Sequence, residues 1–242
     1  MSFEKSSEKP WHQPKSFPPH PGATLHVWQV DLNRLKESSL EIGLLSMDEV
    51  DRANRLRSNE SRWRFQASRI ALRKILAAYI KRTPSELEFS YGDTGKPTLK
   101  VHHQDSKLAN LFFNISHSGQ LALLAVSGTG EVGVDVEKIR ERSAIDRIAQ
   151  RHFSPKEHKR WAMFDASDRL TEFYRVWTRK EALLKASSRG LSWPLSRVDS
   201  LQGTIDQDVF WLKDVDLGSN FTGAVASETA PSEVQFWSFQ SS

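Results

Sequence analysis

Apolar residues recur along this chain with two periods, and the switches between them set out its elements. Thr24 to Leu32, TLHVWQVDL, alternates apolar and polar positions as a half-buried strand does. Ser46-Met-Asp-Glu49 follows, a hydroxyl with a carboxylate three residues on, which spells a capping box and predicts a helix start. A polar helical stretch then runs into WRFQASRIALRKILAAYI, whose apolar positions keep helical spacing until Thr83-Pro84 ends it. LFFNISHSGQLALLAVS, Leu111 to Ser127, reads as two strands around a Ser-His-Ser-Gly turn, with EVGVDVEKI as a third strand. Residues 1–22, rich in Pro, His and Lys, read as an irregular arm that Trp11 and Phe17 can anchor.

The order of events then repeats. Ser154-Pro-Lys-Glu157 is a second capping-box spelling with Pro at the first helical position, and FYRVWTRKEALLKAS is a second long apolar helix. Laid on each other, Arg69-Ile-Ala-Leu-Arg-Lys74 and Lys180-Glu-Ala-Leu-Leu-Lys185 bring a basic residue, Ala, Leu and Lys into register. The expected fold class is therefore α+β, with two similar halves spanning 23–128 and 129–242 after the arm.

Composition supports a packed core: 38% hydrophobic and 26% charged residues, with 13 Phe and 8 Trp, unlike a disordered chain. The absence of cysteine excludes a disulfide framework, a thiolate metal site and a cysteine nucleophile. No run approaches the ~20 apolar residues that span a bilayer, and MSFEKSSEKPWHQPKSFPPHPG holds no apolar secretion segment, so the expected location is cytoplasmic, away from membranes. Net charge is +4, but between Arg52 and Arg82 ten Lys and Arg face Glu60 alone. Such clustering suits a polyanionic partner or a solvated helix face.

Three carboxylates stand out. Asp135 and Glu137 lie two apart on one strand and share a face, where they repel unless a cation intervenes. Glu181 is a third, on a largely apolar helix, with Lys185 one turn beyond it. An all-oxygen set of this kind suits Mg²⁺, whereas an exposed D-x-E pair or a simple Glu181–Lys185 pair is the commonplace alternative. Ser116 and His117 sit between apolar strands without the G-x-S-x-G order of an esterase elbow, and no spacing among the His residues fits zinc. His102-His103 receive no role. Gly92-Asp-Thr-Gly95-Lys96-Pro97 displays Lys96 beside a turn, where it can meet an anion, but lacks the pattern of a phosphate loop.

FNISHS (Phe113 to Ser118), GVDVEK (Gly133 to Lys138) and WTRKEALLK (Trp177 to Lys185), in that order and with GKP (Gly95 to Pro97) upstream, resemble the larger, two-half class of 4′-phosphopantetheinyl transferases. The resemblance runs from about Val27 to Val198. It implies two α+β halves related by pseudo-twofold symmetry in one monomer, with the active site between them. It also implies transfer of the phosphopantetheine arm of coenzyme A to a serine of an acyl or peptidyl carrier protein, with release of adenosine 3′,5′-bisphosphate.

By the same resemblance Asp135, Glu137 and Glu181 hold Mg²⁺, or Mn²⁺, and Glu181 or an ordered water accepts the serine proton. Lys185 stabilises the leaving phosphate. Ser116 and His117 hold coenzyme A phosphates, His117 at the 3′-phosphate, while Arg69 and Lys96, then Arg52 and Arg55, serve the adenylate side. Trp177 and Leu184 are expected in the core. Lys156, Lys159, Arg160, Arg175 and Arg179 are expected around the cleft mouth, facing an acidic carrier protein. The rival reading, a basic Mg²⁺-dependent nuclease, would show salt-sensitive DNA retention and cleavage; the transferase reading involves no nucleic acid.

Overall fold

β1 (Leu25–Asp31) leads to α1 (Met47–Asn54), opened by Ser46, whose backbone N–H donates to the Glu49 carboxylate at 3.0 Å. α2 (Asn59–Ile80) starts at Ser58, whose hydroxyl oxygen accepts from the Ser61 N–H. It stops before Thr83-Pro84, because Lys81 takes a left-handed conformation with φ of 55°. The computed structural model describes residues 11–35, 40–92, 94–100, 110–190 and 192–240; Asp93 and His102-His103 lie outside these. β2 (Phe89–Tyr91) and β3 (Pro97–Leu99) form a short hairpin, followed by β4 (Phe112–Ser118) and β5 (Leu121–Ser127). Ser116, His117 and Ser118 belong to β4 itself. The expected four-residue turn shrinks to Gly119-Gln120, since Gly119 at φ 58° reverses the chain without steric cost.

The second half runs through β6 (Val132–Lys138), α3 (Ile145–His152), α4 (Pro155–Ala162) and α5 (Ala166–Ala186). Short β7 (Val198–Asp199), β8 (Thr204–Ile205) and β9 (Asp208–Val209) precede β10 (Trp211–Val215), β11 (Phe221–Ser227) and β12 (Val234–Phe239). In the first sheet β1, β5 and β4 run antiparallel in that order; β6, β11 and β10 do the same in the second. The chain does not part cleanly at 128/129. β12 returns to the first sheet and pairs parallel with β1, and the Trp11 ring of the arm packs on Phe236 of that strand.

The layers follow from which strands are buried on both faces. Trp28, Leu124 and Val126 pack under Leu72, Ile75 and Leu76 of α2, whereas Val27, Leu123 and Ala125 meet Val134, Val136 and Val225 of the other sheet. This double burial is why β5 reads as a continuous apolar run without alternation. On the far side Leu183 and Ala186 of α5 pack on Ala224 and Ala226. A Cβ at Gly133 would lie 2.0 Å from the Ala182 carbonyl oxygen, so β6 and α5 approach as closely as they do only because that residue is glycine.

Each half buries an ionic contact between its capping-box glutamate and its long helix, two arginines in the first half and one lysine in the second. Glu49 is gripped by Arg69 at 2.5 Å and Arg73 at 2.7 Å; Glu157 pairs with Lys180 at 2.6 Å, both of the latter fully buried. Arg69 and Lys180 are the residues that the internal repeat aligns, so the two halves share a structural cation as well as a helix. Burial pushes the Glu49 carboxyl up, but Arg69, the Ser46 N–H and Arg73 outweigh it and hold it below the ordinary range. The Lys180 ammonium also donates to the carbonyls of Leu195 and Val198, at 2.8 and 2.5 Å, tying α5 to the chain beyond it. Breaking a buried pair from one side costs about 3–5 kcal/mol, more than the ~1.5–3 kcal/mol of a buried Leu. Lys180→Met is therefore expected to destabilise by about that much, with Lys180→Met/Glu157→Leu recovering part of it; denaturant unfolding measures both.

Under the arm, a chain of hydrogen bonds threads the aromatic core. Trp28 Nε1–H donates to the Tyr79 hydroxyl at 2.9 Å, and Tyr79 lies 2.7 Å from His26 Nδ1; His26 Nε2 lies 3.2 Å from Thr24 Oγ1, which donates to the Pro21 carbonyl. Only a neutral His26 protonated on Nε2 satisfies every link. Phe17 stacks over Trp28 at 5.2 Å and closes the cluster. Burial, then nearby His20, lower the His26 pKa to about 4. The unfolded chain binds this proton from its ordinary value of 6.5 downward and the folded chain does not, so stability is lost as pH falls from 6.5 towards 4. The loss is on the order of 3 kcal/mol at full extent. Unfolding free energies of the wild type and His26→Gln are expected to converge across that window.

Candidate functional site

The site lies where the edge strands of the two sheets meet. β4 closes the first sheet and β6 the second, and side chains join them. Asn114 Oδ1 accepts from the Val134 N–H at 2.9 Å, Ser116 Oγ donates to Asp135 Oδ1 at 2.8 Å, and Ser118 Oγ donates to Glu137 Oε2 at 2.7 Å. Lys185, from α5, reaches the same place. Its ammonium lies 2.7 Å from Asp135 Oδ1, 3.2 Å from Ser116 Oγ and 3.2 Å from the Val134 carbonyl. Asp135, Glu137, Ser116 and Lys185 are thus brought together, and Lys185 bonds across to Asp135 instead of pairing along its own helix with Glu181.

Glu181 stands one turn before Lys185 and is half-buried. Burial, then the Asp135 charge, raise its pKa to about 7, against the pull of Lys185; Glu137 adds to the rise. Glu137 is itself pushed up by burial, with Asp135 adding and the Ser118 hydroxyl opposing. Among the described residues no three carboxylates or imidazoles close around a single point as metal ligands. The donor set nonetheless suits a hard divalent cation. Asp135 Oδ2 is buried with no hydrogen-bond partner, and the Asp135 charge raises the cost of ionising Glu137 and Glu181, which such a cation relieves.

Beside the carboxylates opens a cleft of about 280 Å³, walled by Arg52, Arg69, Tyr91, Lys96, His117 and Lys185. His117 projects into solvent, unlike its strand neighbours. Surrounding protein first, then the positive charges of Lys185, Arg64 and Arg52, lower its pKa, and an anion placed there offsets those charges. Arg69 is committed on one side to Glu49 but also donates to the Tyr91 hydroxyl at 3.1 Å and faces the cleft. Lys96 is more tightly held. Its ammonium touches the Glu131 carboxylate at 2.5 Å and the Val132 and Lys185 carbonyls at 2.9 and 2.8 Å, which uses all three protons.

Several expectations do not assemble here. Arg55, at the end of α1, does not line the cleft. Leu184 is buried but also forms part of the cleft wall, so it is not core alone; Trp177 packs on Phe173 at 6.1 Å. Arg160, Arg175 and Arg179 line a separate small pocket with Glu157 and Glu172, and Arg179 is doubly bonded to Asp214 at 2.6 Å. Lys156 and Lys159 are exposed on α4, away from the cleft lining. Of the cations lining the cleft, Arg52, Arg69 and Lys96 come from the first half and Lys185 from the second. Sequence reasoning missed Asn114, Ser118, Tyr91 and Glu131; the alternate spacing of Asn114, Ser116 and Ser118 on a strand was the available signal.

Residues 32–129 match the family described as 4′-phosphopantetheinyl transferase, N-terminal, and residues 131–238 match the 4′-phosphopantetheinyl transferase superfamily. The chain is 38% identical over 183 residues to the 4′-phosphopantetheinyl transferase HetI of a Nostoc species, covering 73% of this chain and 76% of that protein. It is 38% identical over 135 residues to the transferase AcpT of Salmonella typhimurium, covering 56% and 65%. It is 28% identical over 173 residues to the transferase Sfp of Bacillus subtilis, covering 72% of each. Two matched halves meeting at a seam of carboxylates beside a cationic cleft place this chain in the 4′-phosphopantetheinyl transferase superfamily.

Proposed function

We propose that this chain transfers the 4′-phosphopantetheine arm of coenzyme A to a serine of an acyl or peptidyl carrier protein and releases adenosine 3′,5′-bisphosphate. The observation that carries this reading is the juxtaposition of Asp135, Glu137, Glu181 and Lys185 with a cleft lined by Arg52, Arg69 and His117. Coenzyme A bears a pyrophosphate and a 3′-phosphate, and the two ends of this site offer matching groups. Both walls belong to one chain, so a monomer suffices.

In this mechanism the serine oxygen bonds to the phosphorus that carries pantetheine. The bridging P–O bond breaks with its electron pair going to adenosine 3′,5′-bisphosphate, and the serine proton passes to Glu181. Glu181, or a water ordered beside it, lies next to Asp135 and Glu137, where it can take up that proton. Lys185 stabilises the charge on the oxygen that leaves, and Ser116 can turn its hydroxyl to a phosphate oxygen only by releasing Asp135. Asp135, Glu137 and Glu181 would hold Mg²⁺ or Mn²⁺, which when bound compensates the pyrophosphate charge. His117 reads the 3′-phosphate at the open end, with Arg52 and Arg69 on the adenylate side. Lys96 joins them only by releasing one of its three present partners.

A carrier protein incubated with the chain, coenzyme A and Mg²⁺ is expected to gain the mass of one phosphopantetheine; DNA cleavage without that gain would favour the nuclease reading. Asp135→Ala and Glu181→Gln are each expected to lower kcat about 100-fold or more while circular dichroism shows an intact fold. Full activity in either variant removes that residue from the site. His117→Ala is expected to weaken coenzyme A binding roughly 10-fold, the worth of a charged hydrogen bond, with little change for 3′-dephospho-coenzyme A. Calorimetric titration of both ligands measures the difference, and equal losses would make His117 structural.

A further inference from the structure

The two strand edges at the seam run in step. Ser116 and Ser118 lie two apart on one face of β4, and Asp135 and Glu137 lie two apart on one face of β6, so each hydroxyl meets one carboxylate. The two serines are not equivalent. Ser116 Oγ accepts from the Lys185 ammonium at 3.2 Å, whereas Ser118 Oγ accepts from the Lys138 N–H at 3.1 Å. With that N–H on its lone pair, the Ser118 hydroxyl has its proton aimed at Glu137. Thr222, which faces Glu137 in the register of β11, does not compete, since its buried hydroxyl makes no hydrogen bond.

We propose that Ser118 is a positioning residue, one that holds the Glu137 carboxylate from the opposite half and thereby sets the strength of the divalent-cation site. This rests on the reading of Asp135, Glu137 and Glu181 as the residues that hold that ion. A hydroxyl that orients a ligating carboxylate reduces the freedom the ligand loses on binding, and such outer partners are worth about 10-fold or more in metal affinity. The hydroxyl comes from the half that carries most of the cleft cations, so the ion's affinity depends on the two halves being docked.

The test is Mn²⁺ titrated into the full chain, with and without saturating coenzyme A, and followed by the electron paramagnetic resonance of free ion. Ser118→Ala is expected to weaken Mn²⁺ about 10-fold and to raise in parallel the Mg²⁺ concentration for half-maximal transfer, with Ser118→Thr restoring both. Thermal midpoints of the variants identify any that fail to fold, and Ser118→Thr keeps the hydroxyl in that case. Wild-type Mn²⁺ affinity in Ser118→Ala, alongside lost affinity in Asp135→Ala, overturns the proposal and leaves the metal reading standing. Unchanged affinity in Asp135→Ala as well overturns both.

Discussion

Everything at this site depends on a junction without a backbone ladder. β4 and β6 are edge strands of separate sheets, and an open edge needs partners for its polar groups. Here the partners are side chains from Asn114, Ser116 and Ser118, and they fall on the strand that bears the carboxylates. A continuous sheet would have filled this space with main-chain bonds and left no opening for a ligand. The chemistry therefore sits where the two sheets are joined by groups that can also contact something else.

Rigidity around the junction comes from burial on its flanks. Val134 and Val136 point into the core between the sheets while Asp135 and Glu137 point the other way, so packing fixes the strand that carries the charges. α5 is fixed in turn by Gly133, which lets it approach, and by Lys180, whose ammonium is fully buried against Glu157. A buried ion pair adds little net stability over an apolar substitute, but it penalises any arrangement in which either partner is left alone. That penalty selects one rotation and height of the helix, which is what Glu181 and Lys185 require.

The local elements were legible in the sequence because their signals are local. Capping boxes at Ser46 and Ser154, the strand of TLHVWQVDL and the helical spacing after Trp63 lie within a few residues of what they determine. The repeat was legible too, and its alignment of Arg69 with Lys180 marks shared structure, since each answers a glutamate about 20 residues earlier. Whether a lysine is buried depends on a partner the helix itself does not contain. The rim cations failed for the same reason: Arg175 and Arg179 have acidic neighbours on α5 and β10. Asp135, Glu137, Glu181 and Lys185 were legible as a set, whereas the hydroxyls that orient two of them were hidden in plain strand composition.

The course of β12 has a consequence for how the chain comes into being. β1, near the start of the sequence, lies between β5 and β12, and β12 occupies Val234–Phe239. Until those residues emerge during synthesis, β1 presents an unpaired flank, and Trp237 is missing from its place 6.0 Å from Trp28. A strand made early thus waits on one made late, a long-range closure of the kind that slows folding and exposes strand edges meanwhile. A chain that stops short of Val234 carries the damage in the half made first.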